Sequence, residues 1–507
     1  VATDHPPALS SSATKIFSNR TTTISLVQQE LSSRRATLPG LPPHGGLPYN
    51  EDAMRTSPPR ASLHTLGCRL NQAETALLAD RLRRDGYELV EFGRPTDLLV
   101  LNTCSVTENA EKDCRYALRK TLRHSPHAFV AVTGCYAQTG MQVLRNLAGI
   151  DLIVGTQYKM HLPDYLPAPA ALKKQPAPQV LHTKTIGRED FLLSGTGECG
   201  TVRAPLKIQD GCNFMCSFCL IPFARGRERS RQTDDAVREA EDLVAKGHRE
   251  VVLTGVNIGR YEQDGRGLID LIRRLESIAG LERIRISSIE PTTISDELLE
   301  YMASSPKLCR YLHIPLQSGD DGILRAMNRR YTVGDYASLI EKAVGTIPDV
   351  GLGTDLLVGF PGEGEKEFLN TLRVAEELPF SYFHVFSFSK RPGTAAARLA
   401  NPVNPATIKA RTRILSELSR AKRLAFYQKQ IGRTVEVLFE TKQDDGLWTG
   451  LTRTFTKVGV PSHADLTNRI RNVVITGVMD GLAVGRLEPS AGVPSQPRLR
   501  ELPLIAS

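Results

Sequence analysis

No stretch of the chain holds about 18 consecutive apolar residues, so a membrane-spanning helix is not expected. The sequence also lacks a basic-then-apolar beginning with a small-residue cleavage site, the pattern of a secretory leader. It begins at Val1, and its first methionine is Met54. Residues 1–59 are rich in Ser, Thr and Pro without sustained periodicity, which predicts a disordered tail. Met54 is the expected native start. A transit peptide is the rival, but Asp4, Glu30, Glu51 and Asp52 offset Lys15, Arg20, Arg34 and Arg35, and a targeting sequence should be poor in acids. Acidic excess is absent too: a net charge of +9 and a pI near 9.1 favour an anionic partner such as nucleic acid. Hydrophobic content of 41% is that of an ordinary globular chain, and the length suits about three domains.

Cysteine is scarce, nine residues in all, and three of them, Cys212, Cys216 and Cys219, fall within eight positions. A C-x3-C-x2-C run is too tight, and odd in number, for a disulfide framework; soft thiolates at this spacing suit zinc or an iron–sulfur cluster. A structural zinc would want a fourth Cys or His, and the following Leu220-Ile-Pro-Phe-Ala-Arg-Gly226 offers none. Three thiolates on a cubane leave one iron open to a small chelating molecule. Zinc and unligated thiols remain the alternatives at this point. Cysteines grouped as ligands imply a reducing compartment, hence a cytoplasmic protein.

Three more cysteines occupy equivalent places. Cys68 follows the short strand and glycine turn of Ser62-Leu-His-Thr-Leu-Gly67, while Cys104 and Cys135 each end an apolar strand, Asp97–Thr103 and Ala128–Gly134. Helical patterns to about Asp85, at 106–123 and at 138–148 complete a βαβα arrangement with a parallel sheet. Cysteines at the C-terminal ends of neighbouring parallel strands converge on one edge, where such sheets place their ligands. Separately each suits a buried packing cysteine; together they suit a second three-thiolate cluster. Cys114 lies inside a helix and is assigned to packing. Cys199 and Cys309 have no partner at ligand spacing.

Residues 163–197, with Pro163, Pro167, Pro169, Pro176 and Pro178, read as a linker. Beyond it, strands at 250–254, 283–287, 311–315, 350–358 and 382–388 alternate with helices at about 233–247, 266–279, 295–304, 333–345 and 363–377. With the strand at Leu206 this gives about six βα units, a partial parallel barrel whose sites lie at the C-terminal strand ends. The strand-end candidates are Thr254, Gly255, Asn257, Glu290, Gln317 and Asp355. Glu290 and Asp355 also suit helix caps or loop carboxylates. A basic loop with Arg225, Arg227, Arg229 and Arg231 follows the cysteine run, and a basic helix over Lys409–Arg433, including Lys422 and Arg423, is expected to turn Ile414, Leu415, Leu418 and Leu424 inward. From about 434 the pattern changes to short strands between glycine turns, a small β-barrel of the oligonucleotide-binding kind. Trp448 and Phe455 are candidates there for base stacking or for core packing.

The run Cys212–Cys219, with the aromatic Phe218 before its last cysteine, resembles the signature of radical S-adenosylmethionine (SAM) enzymes. The chain from about 62 to 490 is similar to the methylthiotransferases of that superfamily. The resemblance implies an α/β protein: an N-terminal methylthiotransferase domain (60–162), the linker (163–197), a partial (β/α)6 radical SAM core (198–430) and a small C-terminal β-barrel of the TRAM type (431–490), with tails at 1–59 and 491–507. It implies two [4Fe–4S] clusters, on Cys68, Cys104 and Cys135 and on Cys212, Cys216 and Cys219, with SAM contacted by Phe218, Thr254, Gly255, Asn257, Glu290, Gln317 and Asp355. Thr254-Gly-Val-Asn257 lacks the usual Gly-Gly-Glu, so contacts there should be mainly through backbone. Thr65-Leu-Gly-Cys68-Arg-Leu-Asn71 and Leu206-Lys-Ile-Gln-Asp-Gly-Cys-Asn213 look most like the branch that acts on N6-threonylcarbamoyladenosine beside the tRNA anticodon. Isopentenyladenosine tRNA, a ribosomal protein, or a redox-sensing tRNA-binding role without turnover are the alternatives. The partners implied are tRNA at Arg225, Arg227, Arg229, Arg231, Lys422 and Arg423, an external electron donor and a sulfur source, for a protein working as a monomer.

Overall fold

The computed structural model describes residues 57–105, 108–187 and 200–488. The tails expected at 1–59 and 491–507 lie outside them except for residues 57–59, as does Cys199. Three bodies of secondary structure follow one another along the chain.

The first is a six-stranded parallel sheet in the order Glu88–Val90, Arg60–Thr65, Leu98–Thr103, Phe129–Gly134, Leu152–Val154, Gln179–Leu181. Its central strands are sealed on both faces, as parallel sheets require, so Leu98 to Leu101 read as an unbroken apolar run. Leu98 and Val100 pack on one side with Leu78 and Leu82 of the helix Arg69–Arg84. Leu99 and Leu101 pack on the other with Cys114 and Leu118, which confirms packing as the role of Cys114. The proline-rich segment differs from a plain linker: Gln179–Leu181 adds the sixth strand to this sheet.

The second body is the partial barrel. Strands Arg203–Lys207, Glu250–Thr254 and Arg283–Ile286 pair in parallel, as do Tyr311–His313, Gly351–Val358 and Tyr382–Ser387. Parallel bridges Ile284–Leu308 and Ser288–His313 join the two sets. The first and last strands do not pair, so one side stays open, and the helix Arg69–Arg84 packs beside the first strand.

The helix Pro405–Gln428 covers the last strand with only part of the face expected: Leu415 is buried and Leu418 packs partly buried on the core. Arg411, Leu415 and Ser419, at four-residue spacing, and Tyr427, eight residues on, are buried, whereas Ile414 and Leu424 are exposed. The third body is a closed barrel of five strands between Thr434 and Leu487. Two buried arginines dock it on the core. Arg283 donates to the carbonyl oxygens of Leu451 and Glu436, each at 2.9 Å, and Arg285 to that of Thr452 at 3.0 Å. Trp448 is buried among Val437, Phe439 and Tyr427, and Phe455 stacks on Tyr311 with ring centroids 4.5 Å apart, so both serve packing rather than base stacking.

Candidate functional site

The turns that carry the N-terminal cysteines are pressed together. Gly67, before Cys68, has φ +104, and a Cβ there would lie 2.9 Å from the Cys104 Sγ. Gly134, before Cys135, has φ +100 and sits so close to Thr103 that a Cβ would come within 2.3 Å of its carbonyl oxygen. Only glycine combines that backbone with that approach. Side-chain amides fix the turns: Asn71 donates to the carbonyl oxygens of Leu66 and Thr103, and Asn102 to that of Asn71. Cys104 and Cys135 are buried and Cys68 is exposed. Burial pushes the Cys135 thiol up; Arg225 and Lys159 pull it down, and the neighbouring Cys68 adds to the rise.

The second trio lies on the loop after the first barrel strand. The loop is tied to two other segments: the backbone N–H of Cys212 donates to Gly226 O at 3.1 Å, and that of Ser217 to Met327 O at 2.9 Å. The N–H groups of Phe214 and Ile221 point at the Cys212 and Cys219 sulfurs, both at 3.4 Å. Burial pushes the Cys212 thiol up to about 11 and the Cys219 thiol to about 12, and the other thiols of the trio contribute. Thiolates crowded in a poorly solvated place need a cation among them.

Two short helices bring the trios together: Cys135–Thr139 packs on Ile221–Arg225, which begins two residues after Cys219. A cavity of about 250 Å³ opens beside them. Its lining includes Ser105, next to Cys104, together with Cys219, Phe218, Gln317, Asp355 and Arg391.

The strand-end candidates divide. Asn257 is 1% exposed, and both its Oδ1 and Nδ2 lack a hydrogen-bond partner, a cost that a ligand would remove. The N–H groups of Val256 and Asn257 are already satisfied by Gln209 Oε1, at 2.9 and 2.7 Å. A Cβ on Gly255 would lie 3.0 Å from Gln209, so bulk is excluded there. Thr254 turns its hydroxyl to Val252 O. Gln317, at φ +73, and Asp355 are linked by the Gln317 N–H donating to Asp355 O at 2.8 Å, and both line the cavity. Phe218 lines it too, set edge-on to Phe360. Glu290 is instead gripped by Arg329 Nη2 at 2.5 Å, while Arg329 Nη1 donates to Cys216 Sγ at 3.3 Å.

The basic loop is a correction. Arg225 is 1% exposed and donates to Glu74, Asp210 and Asn71, forming a buried bridge between the first two bodies with Lys159 and Lys207. Arg229 pairs with Asp210, and Arg231 with Asp235 and Glu239. Lys422 donates to the carbonyl oxygens of Glu376 and Leu378 at the end of the helix Glu365–Glu377. The three arginines are turned away from solvent, where a phosphate contact would have to be, and Lys422 is half-buried with its ammonium tied to backbone; a charge run in sequence does not reveal that the Arg225 partner, Glu74, lies 151 residues away. Arg227 is exposed and Arg423 half-buried. Of the residues missed in the sequence, Gln209, His313 and His384 have no local signal beyond their place on or beside barrel strands, and Glu74, inside a helix, and Arg329 and Arg391, in loops, have none.

Comparison with known proteins agrees with this division of the chain. Residues 206–375 match the radical SAM superfamily, and residues 60–155 match the uncharacterized protein family UPF0004. The chain is 35% identical to the threonylcarbamoyladenosine tRNA methylthiotransferase MtaB of Bacillus subtilis, over 82% of this chain and 93% of that one. It is 38% identical to the MtaB of Aquifex aeolicus, over 75% and 92%. It is 34% identical to a tRNA-2-methylthio-N(6)-dimethylallyladenosine synthase of Acetivibrio thermocellus, over 82% and 88%.

Proposed function

From the premise that this chain belongs to the methylthiotransferases of the radical SAM superfamily, we propose that it places a methylthio group on C2 of N6-threonylcarbamoyladenosine in tRNA. Membership brings a [4Fe–4S] cluster and SAM. The residues present fit them. Three thiols on one loop, with burial raising the pKa of Cys212 and Cys219, want a cationic centre, and the orphaned amide of Asn257 wants a polar ligand. Cys68, Cys104 and Cys135 are proposed to hold a second cluster.

When bound, these groups supply a 5′-deoxyadenosyl radical and a methylated sulfur, which substitution at an unactivated sp2 C–H demands because no acidic proton is available there. The chain supplies placement. Cys212, Cys216 and Cys219 hold one centre, and Asn257, Gln317, Asp355 and Phe218 line the place of the cofactor. The bridge through Arg225 and Glu74 fixes the distance between centres. The observation that carries this reading is the shared cavity, lined by Cys219 from one trio and by Ser105 beside Cys104 from the other. The outer face of the helix Pro405–Gln428, with Arg413 and Arg420 exposed, joins Arg227 as the surface proposed for the tRNA backbone. The electron donor and the sulfur source are external, and the protein is proposed to act as a cytoplasmic monomer.

Mass spectrometry of tRNA nucleosides from a deletion strain complemented with this chain tests the substrate. The methylthio form of threonylcarbamoyladenosine is the expected product; the methylthio form of isopentenyladenosine would transfer the chain to the other branch. Purified, reconstituted Cys216→Ala should form no 5′-deoxyadenosine. Cys104→Ala should form it without methylthiolating tRNA, and methylthiolated product from Cys104→Ala would sink this division of labour.

A further inference from the structure

The cavity beside the cysteine trios has a wall that no assignment above uses. Phe218, Gln317 and Asp355 are given to the cofactor; Phe386, Phe388 and Arg391 line the same space from the last barrel strand and the segment after it. That strand, Tyr382–Ser387, stands at the edge of its sheet. Successive side chains on a strand point to opposite faces. Phe383 and Val385 pack on the core with Leu415, so Tyr382, His384 and Phe386 share the other face. There they form a column of rings, with centroids 5.2 Å apart from Tyr382 to His384 and 6.2 Å apart from His384 to Phe386.

The two ends of the column differ. At the first, Tyr382 is buried, its hydroxyl shared with Tyr311 at 2.5 Å, and Arg423 stands over its ring with Cζ 5.8 Å from the centroid. Arg423 belongs to the helix Pro405–Gln428, whose outer face is the proposed tRNA surface. At the second, Phe386 is 42% exposed where it meets the cavity that Cys219 also lines. His384, between them, is exposed as well. Phe388 differs from Phe386: it is half-buried and set edge-on against Phe360, with ring centroids 5.6 Å apart. An open phenyl face at the mouth of a site is apolar area left in water, a cost that a flat ring laid on it would remove. The column thus runs from the RNA side of the molecule to the cavity.

We propose that Phe386 is the stacking platform for the adenine that is modified. The inference rests on the substrate reading of the preceding subsection and deepens it by naming the residue that positions the base. The hydrogen on C2 lies in the plane of the purine. A ring stacked on one face fixes that plane and leaves the edge of the base free to point into the cavity, which is the orientation the substitution needs. A base in an anticodon loop must also leave its neighbours before chemistry reaches it, and an aromatic face replaces the stacking it gives up. Stacking reads a ring and not its substituent, so Phe386 places threonylcarbamoyladenosine without choosing it over isopentenyladenosine. The cofactor's own adenine is the other flat ring within reach of this wall. The run of the column from Arg423 and the RNA side favours the substrate base.

The test is a double-mutant cycle on the reconstituted holoenzyme, with SAM and without reductant. Its probes are an anticodon stem-loop carrying threonylcarbamoyladenosine and the same loop with that base removed, leaving an abasic sugar. The wild type should bind the intact loop about tenfold or more tightly than the abasic loop, the scale of one base–aromatic stack. Phe386→Ala and Phe386→Leu should each bring that ratio close to one while the affinity for the abasic loop, the iron content and the affinity for SAM stay at wild-type level. Phe386→Trp should keep the ratio, and rescue by Trp but not by Leu separates stacking from apolar packing. An unchanged ratio in Phe386→Ala overturns the proposal, as does equal weakening for both loops, which would assign the ring to the RNA backbone or to the fold. A fall in SAM affinity would assign it to the cofactor's adenine and overturn the proposal too. Product analysis on the wild type, with reductant added, separates the two readings. No methylthiolation of the threonylcarbamoyl loop removes the substrate reading and this inference with it, whereas product formed together with an unchanged ratio in Phe386→Ala removes this inference alone.

Discussion

At the scale of single residues, Arg329 is the side chain whose contacts say most about the radical centre. Its guanidinium donates to Cys216 Sγ, to Glu290 and to the Tyr331 hydroxyl, and Tyr331 is itself anchored on Leu316 O at 2.8 Å. A cation so fixed at a cluster sulfur favours the reduced, more negative cluster, because hydrogen bonds to sulfur are among the determinants of cluster potential. Arg329→Gln removes the charge. The equilibrium constant for cluster reduction should fall about tenfold, equivalent to about 59 mV for one electron. Redox titration followed by electron paramagnetic resonance, in a Cys104→Ala background that simplifies the spectrum, checks it; an unchanged midpoint would limit Arg329 to holding Glu290. Glu290 was legible in the sequence as a polar strand-end residue, but its arginine was not. Arg329 stands in a loop with no periodicity, 113 residues from Cys216, and only the fold brings the two together.

At the scale of elements, sequence periodicity located strands and helices well and their faces less well. The strands ending in Cys104 and Cys135 were readable because both sides of a parallel sheet are apolar and the cysteine comes where the run stops. The helix Pro405–Gln428 misled in part because its inward face mixes Leu415 and the partly buried Ile408 and Leu418 with polar residues that find partners. Arg411 reaches Glu363 at 2.7 Å, and the Ser419 hydroxyl donates to Phe383 O at 2.6 Å. Apolar residues at 414 and 424 therefore suggested a stripe that packing does not use. Leu415 is fully buried in the barrel core, and replacing it with alanine should cost about 2 to 5 kcal/mol. Leu424 is 43% exposed, and the same change there should stay within about 0.5 kcal/mol. Denaturant unfolding of the two variants decides between the faces; equal losses would restore the expected stripe.

At the scale of the whole molecule, the question is what keeps two cysteine trios from separate domains in register. The answer lies in a buried ionic bridge. Glu74, 1% exposed, accepts from Lys159, Lys207 and Arg225, and Asp210 accepts from Lys207 and Arg225 from the core side. Burial would raise the Glu74 pKa, yet Arg225, Lys159 and Lys207 hold it well below the ordinary carboxylate range, so it stays ionised. Such a group contributes stability above its unfolded pKa, and that contribution fades only as the pH falls towards the depressed folded value. Glu74→Ala should cost about 3 to 5 kcal/mol, because buried Lys159 would lose its carboxylate and Lys207 and Arg225 would be left to share Asp210. Ion pairs of this kind fix geometry more than they add stability, so the triple change Glu74→Leu, Lys159→Met, Arg225→Met should recover most of the loss. That recovered protein carries the decisive measurement. If the bridge sets the spacing of the trios, it should still cleave SAM, through Cys212, Cys216 and Cys219, while methylthiolating tRNA at least tenfold more slowly. If Arg225 served RNA instead, as its place in a basic loop first suggested, Glu74→Ala would leave stability intact, and loss of Arg225 would weaken tRNA binding in proportion to salt. The two outcomes differ in which assay moves, so unfolding, SAM cleavage and tRNA affinity measured on the same preparations assign Arg225 to the frame of the enzyme or to its substrate.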